Sequence, residues 1–121
     1  ITVKNHFLSE AELSHLLAEH DVSVLPYIEA SQSGVAIDAL WAALPAVATP
    51  VGALPKQFAH EQNALIVEKI SPQMIADTLN RLCTDKLIYE RLSQGAFDSY
   101  QKFGPEHSAK LWLQLYETIQ N

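Results

Sequence analysis

The chain has 121 residues, of which 14 are acidic and eight basic, for a formal charge of −6; 48% are hydrophobic and 18% charged. That balance suits one globular domain burying roughly 65% of its unfolded surface, and without a Lys/Arg cluster to track a phosphate backbone it excludes nucleic acid as a partner. No apolar run approaches the ~20 residues of a membrane span, no basic and then apolar leader opens the chain, and the lone Cys83 cannot make an internal disulfide, so a reduced, cytoplasmic setting is expected.

Residues 2–7 (TVKNHF) read as a strand, entered from Ile1 with no initiating methionine, which predicts a piece of a longer protein. Ser9 then heads a helix, and Glu12 three positions on completes a capping box. Leu13, Leu16 and Leu17 form its apolar stripe, and it should end near His20. Residues 22–25 (VSVL), bounded by Asp21 and Pro26, read as a strand covered on both faces. A Ser/Gln/Gly loop leads into a helix with Ile37, Leu40 and Trp41 as its apolar positions, stopped by Pro45. Residues 46–49 make a second short strand, after which Pro50 and Gly52 turn the chain. Strand, loop, helix and strand form a βαβ unit, whose loops lie at the carboxyl ends of the strands, where open α/β sheets bind ligands.

Residues 54–60 read as a loop or a single helical turn, and Asn63 leads into a third apolar run, 64–67. From Ser71 the pattern is helical. Ser71 is an N-cap and Pro72 takes the first helical position, where its missing N–H costs nothing. Ile75, Leu79 and Leu82 face inward. Asp85 caps the next helix, with Ile88, Leu92 and Ala96 inward and Gly95 weakening its later half. Gly104 and Pro105 open the last helix, where Leu111, Trp112, Leu115, Tyr116 and Ile119 form a broad apolar face expected to be core. The fold class is α/β: a parallel sheet of three to four strands flanked by helices, with a helical C-terminal tail.

Chemistry is expected in the loop 29–35 (EASQSGV). Free N–H groups and the positive end of the helix dipole suit a phosphate or a sugar hydroxyl there. Ser31 and Ser33 add hydroxyls, and Gly34 permits close approach of a ligand. Ser33 also suits an N-cap, and the two roles are compatible. Asp38 reads either as a surface charge favoured by the dipole or as a carboxylate accepting two ribose hydroxyls. The five histidines show no metal-ligand spacing, and the loop lacks the G-x-S-x-G of a hydrolase elbow. Cys83 reads as a small buried hydrophobe. No metal and no cofactor is expected.

The stretch 26–56, PYIEASQSGVAIDALWAALPAVATPVGALPK, resembles the nucleotide-sugar-binding motif of the family 4 (group 1) glycosyltransferases. These are retaining enzymes of the GT-B fold with two Rossmann-like domains. Pro26, Gly34, Asp38-Ala39, Pro45, Val47 to Thr49, and Gly52 to Pro55 stand in the motif's places. Asn63-Ala64-Leu65-Ile66-Val67 is similar to the family's Asn-Gly-Leu-Leu-Val strand, and Phe103-Gly104-Pro105 to its Phe-Ser-Trp. The resemblance runs from about Phe7 to Ile119.

The resemblance implies a fragment of the donor-binding domain, residues 1–121, taking a UDP- or GDP-linked sugar. The family's second glutamate falls on Asp38, as ribose acceptor. Its first is Glu29 with a one-residue offset, or is replaced by Ala30. Amides near Ser33, Gly34 and Val35 would meet the diphosphate or sugar, and Gly52 lies at the base-side turn, with Ala53 in place of a second glycine. The basic pair and the domain for a glycan or lipid-linked acceptor would lie upstream, so the fragment alone is expected to be inactive. In a sheet of order 3-2-1-4-5-6 it would supply strands three to six. Strand 22–25 would then have a bare edge that invites a homodimer. An epimerase of the GT-B type is an alternative, though its catalytic acids are not evident here. A receiver-like partner-binding module is another, but strand 22–25 ends with no aspartate.

Overall fold

A computed structural model describes residues 1–120, with Phe103 described by its backbone. Three short strands, β1 (Ser23–Leu25), β2 (Ala46–Ala48) and β3 (Ala64–Ile66), form one parallel sheet in the order β1-β2-β3. Val24 stands opposite Val47, and Val47 opposite Leu65. Among the described residues six helices accompany them: α1 (Glu10–Glu19), α2 (Gly34–Trp41), α3 (Leu54–Gln57), α4 (Pro72–Thr84), α5 (Lys86–Phe103) and α6 (Pro105–Gln120).

Side chains alternate across β2, and this divides the core into two layers. Ala46 and Ala48 face α2 and α5 in a cluster with Leu25, Ala36, Leu40, Leu54, Phe58 and Ala96. Val47 and Leu65 face the other way, toward Leu82 of α4 and Leu92 of α5. The alanines of the first layer let α2 lie close to the sheet. Its buried residues are therefore Ala36, Ala39 and Leu40, while Ile37 and Trp41 are turned outward. The apolar residues of α2 nearly encircle it, so their spacing placed Leu40 correctly but turned Ile37 and Trp41 inward when they face out.

The caps form as the sequence predicts. The Ser9 side chain accepts from the Glu12 amide and the Glu12 carboxylate accepts from the Ser9 amide. Ser71 caps α4 and Asp85 caps α5.

Three other expectations are corrected. Residues 2–7 are not a strand; they run as exposed coil, because no neighbouring strand takes up their backbone groups. As expected, among the described residues β1 pairs only with β2, so its outer edge is bare, and the sheet has three strands. Val24, expected to be covered, is 39% exposed, since α4 lies over β2 rather than β1. Gly95, expected only as a weak point of α5, lies within a helix that continues to Phe103 and has a packing role there. A Cβ there would stand 1.8 Å from the Gln62 carbonyl oxygen, so glycine is what lets the helix cross that loop.

The remaining corrections concern side chains expected inside. Leu111, Trp112, Leu115, Tyr116 and Ile119 of α6 are all exposed, and the Trp112 and Tyr116 rings lie 6.3 Å apart. The helix period was right, but among the described residues α6 touches little besides α5. Cys83 is exposed as well, not buried as expected. No helix among the described residues is long and apolar enough to cross a membrane.

Candidate functional site

Two loops meet at the carboxyl end of the sheet, one after β1 and one after β2. Buried Thr49 joins their roots: its hydroxyl donates to the Tyr27 carbonyl at 2.6 Å and its amide to the Leu25 carbonyl at 3.3 Å. Farther out, the Ala53 amide donates to the Ser31 carbonyl at 3.1 Å. Between these bonds the chain turns at Gly52, whose φ is 55°. A Cβ on Gly52 would stand 1.6 Å from the Ala30 carbonyl oxygen, so the β2 loop passes directly under the β1 loop. Only glycine satisfies both the conformation and the approach.

The junction into α2 is fixed at Ser33. This residue is extended, as an N-cap must be, and its hydroxyl oxygen accepts from the Ala36 amide at 3.3 Å. Tyr27 brings its hydroxyl to 3.3 Å from the same oxygen. Gln57, the last residue of α3, lies alongside the Ser33 peptide: its Oε1 accepts from the Ser33 amide at 3.0 Å and its Nε2 donates to the Ser33 carbonyl at 2.9 Å. Ser33 is 5% exposed, so its hydroxyl faces the protein rather than solvent.

The next two amides, of Gly34 and Val35, find no acceptor among the described residues. Val35 is exposed, and a Cβ on Gly34 would meet nothing within 4 Å. Gly34 thus differs from Gly52 and Gly95, whose neighbours forbid a side chain. Glu29 and Ser31 are exposed on the rim of the loop.

Asp38 lies one helical turn beyond Gly34, on the same face of α2. It is half-buried and opens on a cleft of about 340 Å³ formed with Glu10 and Leu17 of α1, Trp41 of α2 and Tyr100 of α5. The structure thus brings Glu29, Ser31, Ser33, Gly34, Val35 and Gly52 together around two loops. Asp38 stands apart from them, and none of the other six lines its cleft.

Residue-by-residue reading overlooked Tyr27, Thr49 and Gln57. A signal was present for Gln57, a polar residue between the two buried apolar residues of its turn, Leu54 and Phe58. Among the described residues no three His, Cys, Asp or Glu gather as metal ligands would. A separate cavity of about 380 Å³, bounded by Asp21, Cys83, Lys86 and Tyr89, lies at the opposite, amino end of β1. Burial there, and secondarily the charge of Asp21, raise the Tyr89 phenol above its ordinary pKa.

A parallel sheet wrapped by helices, with linked loops at the carboxyl ends of its strands, defines a Rossmann-like α/β domain. The family model of the group 1 glycosyl transferases matches residues 2–85. The chain is 29% identical over 109 residues to a D-inositol 3-phosphate glycosyltransferase of a Nocardioides species, covering 90% of this chain and 24% of that one. It is 33% identical over 97 residues to the corresponding enzyme of Jonesia denitrificans, covering 80% and 23%. It therefore spans about a quarter of the length of these relatives.

Solved structures agree with that match. Sucrose-phosphate synthase of Thermosynechococcus elongatus superimposes with a TM-score of 0.76 at 25% identity, covering 86% of this chain and 26% of that one. The C-terminal domain of a group 1 glycosyl transferase from Francisella tularensis gives 0.72 at 23%, covering 82% and 51%. An Anabaena protein crystallised in complex with UDP-glucose gives 0.74 at 19%, covering 92% and 30%. The chain belongs to the group 1 glycosyltransferases, and its fold is that of the C-terminal domain of their GT-B architecture.

Proposed function

We propose that this chain binds the nucleoside-diphospho-sugar donor, UDP- or GDP-linked, of a retaining glycosyl transfer. The observation that carries this reading is the start of α2. There the Gly34 and Val35 amides are open, a glycine without a packing role leaves room above them, and the helix dipole favours a diphosphate. Glu29 and Ser31 flank the same opening on the sugar side, and Gly52 forms the turn nearest the base. Ser33 acts through the junction it caps. Asp38, one turn along α2 and opening on the neighbouring cleft, is the carboxylate proposed to accept the ribose hydroxyls. The fold shared with a protein crystallised with UDP-glucose supports a nucleotide-sugar ligand, not the roles of single residues.

Stabilising the departing diphosphate is the main electrostatic demand of such a transfer. None of the seven residues is basic, so in this reading cationic groups and the glycan or lipid-linked acceptor come from outside this chain. The chain alone binds donor without turning it over.

Titration of the chain with UDP and GDP, by calorimetry and by amide NMR, tests the reading. One nucleotide is expected to bind weakly and to shift the Gly34 and Val35 resonances. Asp38→Ala is expected to weaken it by about 10-fold, the loss of charge-assisted hydrogen bonds. Undiminished affinity in Asp38→Ala would remove the ribose role, and no binding by either nucleotide would overturn the donor reading for this chain.

A further inference from the structure

We infer that Gln57 is a positioning residue for the donor, a conclusion that rests on the donor-binding reading above. Its side-chain amide bonds to the Ser33 peptide as a neighbouring strand would, accepting from the N–H at 3.0 Å and donating to the C=O at 2.9 Å. Gln57 is itself held firmly, because it ends the turn of α3 anchored by Leu54 and Phe58, which are 0% and 2% exposed. The Ala53 amide on the Ser31 carbonyl, at 3.1 Å, ties the same two loops one step farther out.

Two consequences follow for the donor. First, Gln57 Oε1 is the acceptor that the Ser33 amide has among the described residues, so Ser33 is withdrawn from the set of amides facing a ligand. The diphosphate then meets Gly34 and Val35 alone. Second, the direction of those two amides is set from the β2 loop, because the residue before them cannot rotate without breaking both bonds to Gln57. Gln57 touches no ligand in this arrangement. It acts by holding the Ser33 peptide, and through it the first turn of α2, in one orientation before donor arrives.

The test compares the wild-type chain with Gln57→Met, a side chain of similar length that forms neither bond. Amide hydrogen exchange is read at Ser33 and, as an internal reference, at Val67, whose amide donates to the Ala48 carbonyl within the sheet at 2.9 Å. UDP and GDP affinities are measured on the same samples. Ser33 exchange is expected to accelerate by about 10-fold relative to Val67, the worth of one to two neutral hydrogen bonds, and the affinity for the bound nucleotide to fall by about 10-fold.

Equal acceleration at Ser33 and Val67 would mean general destabilisation and would overturn the positioning role. So would selective loosening of Ser33 with affinity unchanged. Should the wild-type chain bind neither nucleotide, the donor reading fails and the donor role of Gln57 with it. The exchange ratio then still decides, separately, whether Gln57 holds the loop.

Discussion

Replacing Gly52 by alanine tests the linkage of the two loops most severely. The added Cβ would stand 1.6 Å from the Ala30 carbonyl oxygen and 2.5 Å from its carbon, so the loops must part by roughly 1.4 Å before the first contact reaches even 3.0 Å. Three costs combine. A left-handed conformation, φ 55° here, disfavours alanine by about 1 kcal/mol. Forcing packed groups apart costs about 1–3 kcal/mol. Stretching the Ala53–Ser31 bond forfeits about 1 kcal/mol more.

A loss of about 3–5 kcal/mol is thus expected, a large share of the roughly 5–15 kcal/mol that stabilises an ordinary domain. Urea unfolding followed by circular dichroism measures it directly, and the Tm should fall by on the order of 10 °C. A change below about 0.5 kcal/mol would refute the argument, because the β2 loop could not then be passing under Ala30 as described.

Gly34→Ala should behave in the opposite way. With nothing near its Cβ, stability should hold or rise by up to about 1 kcal/mol from helix propensity, while nucleotide affinity falls; a variant that binds as well as wild type would show that no ligand approaches there. Acid should loosen the start of α1. The Ser9 amide, the Ser9 hydroxyl and His6 hold the Glu12 carboxyl below its ordinary pKa. Its contribution is therefore present above the unfolded-state value and is lost as pH falls through the lower folded one. The Ser9 amide resonance, followed from neutral pH downward, should report this transition and should not do so in Glu12→Gln. The bare edge of β1 is expected to pair with a second copy of the chain. Sedimentation velocity and light scattering would detect the dimer, and a clean monomer with residues 1–7 disordered would dispose of it.

The elements most legible in the sequence were those fixed by local chemistry. Ser9 with Glu12, Ser71 with Pro72, and Asp85 each satisfy helix amides within a few residues, so their patterns announce the helix starts. The βαβ unit was legible too, because Pro45 and the Pro50–Gly52 turn bracket a β-branched core. What failed depended on partners distant in sequence. Residues 2–7 have strand composition, but a strand exists only where another lies beside it. The apolar stripe of α6 predicts a buried helix, yet burial needs a facing surface. Gly95 looked like a helix weakness until the Gln62 carbonyl appeared 1.8 Å from its absent Cβ.

The candidate site divides along the same line. Loop 29–35 was found from its place after a strand and before a helix. Its supports were not, since Tyr27 and Thr49 are explained by bonds to residues 6 and 22 positions away, and Gln57 by bonds to a peptide 24 positions away. Asp38 was correctly placed on α2, but the cleft it opens on is built by α1 and α5, whose packing against α2 no local pattern encodes.

The interlocking of the two loops also constrains how the site can be redesigned. Ala30, Ser31, Ser33, Gly52, Ala53 and Gln57 are bonded or in contact across the loops, so their substitutions should be strongly non-additive. Single changes there reduce stability before they can alter selectivity, and useful variants should emerge only as coordinated sets. Glu29, Gly34, Val35 and Asp38 carry no such ties and can be varied one at a time. If the proposed donor site is right, a library intended to change donor preference would randomise these four freely and transplant the other six only as a block.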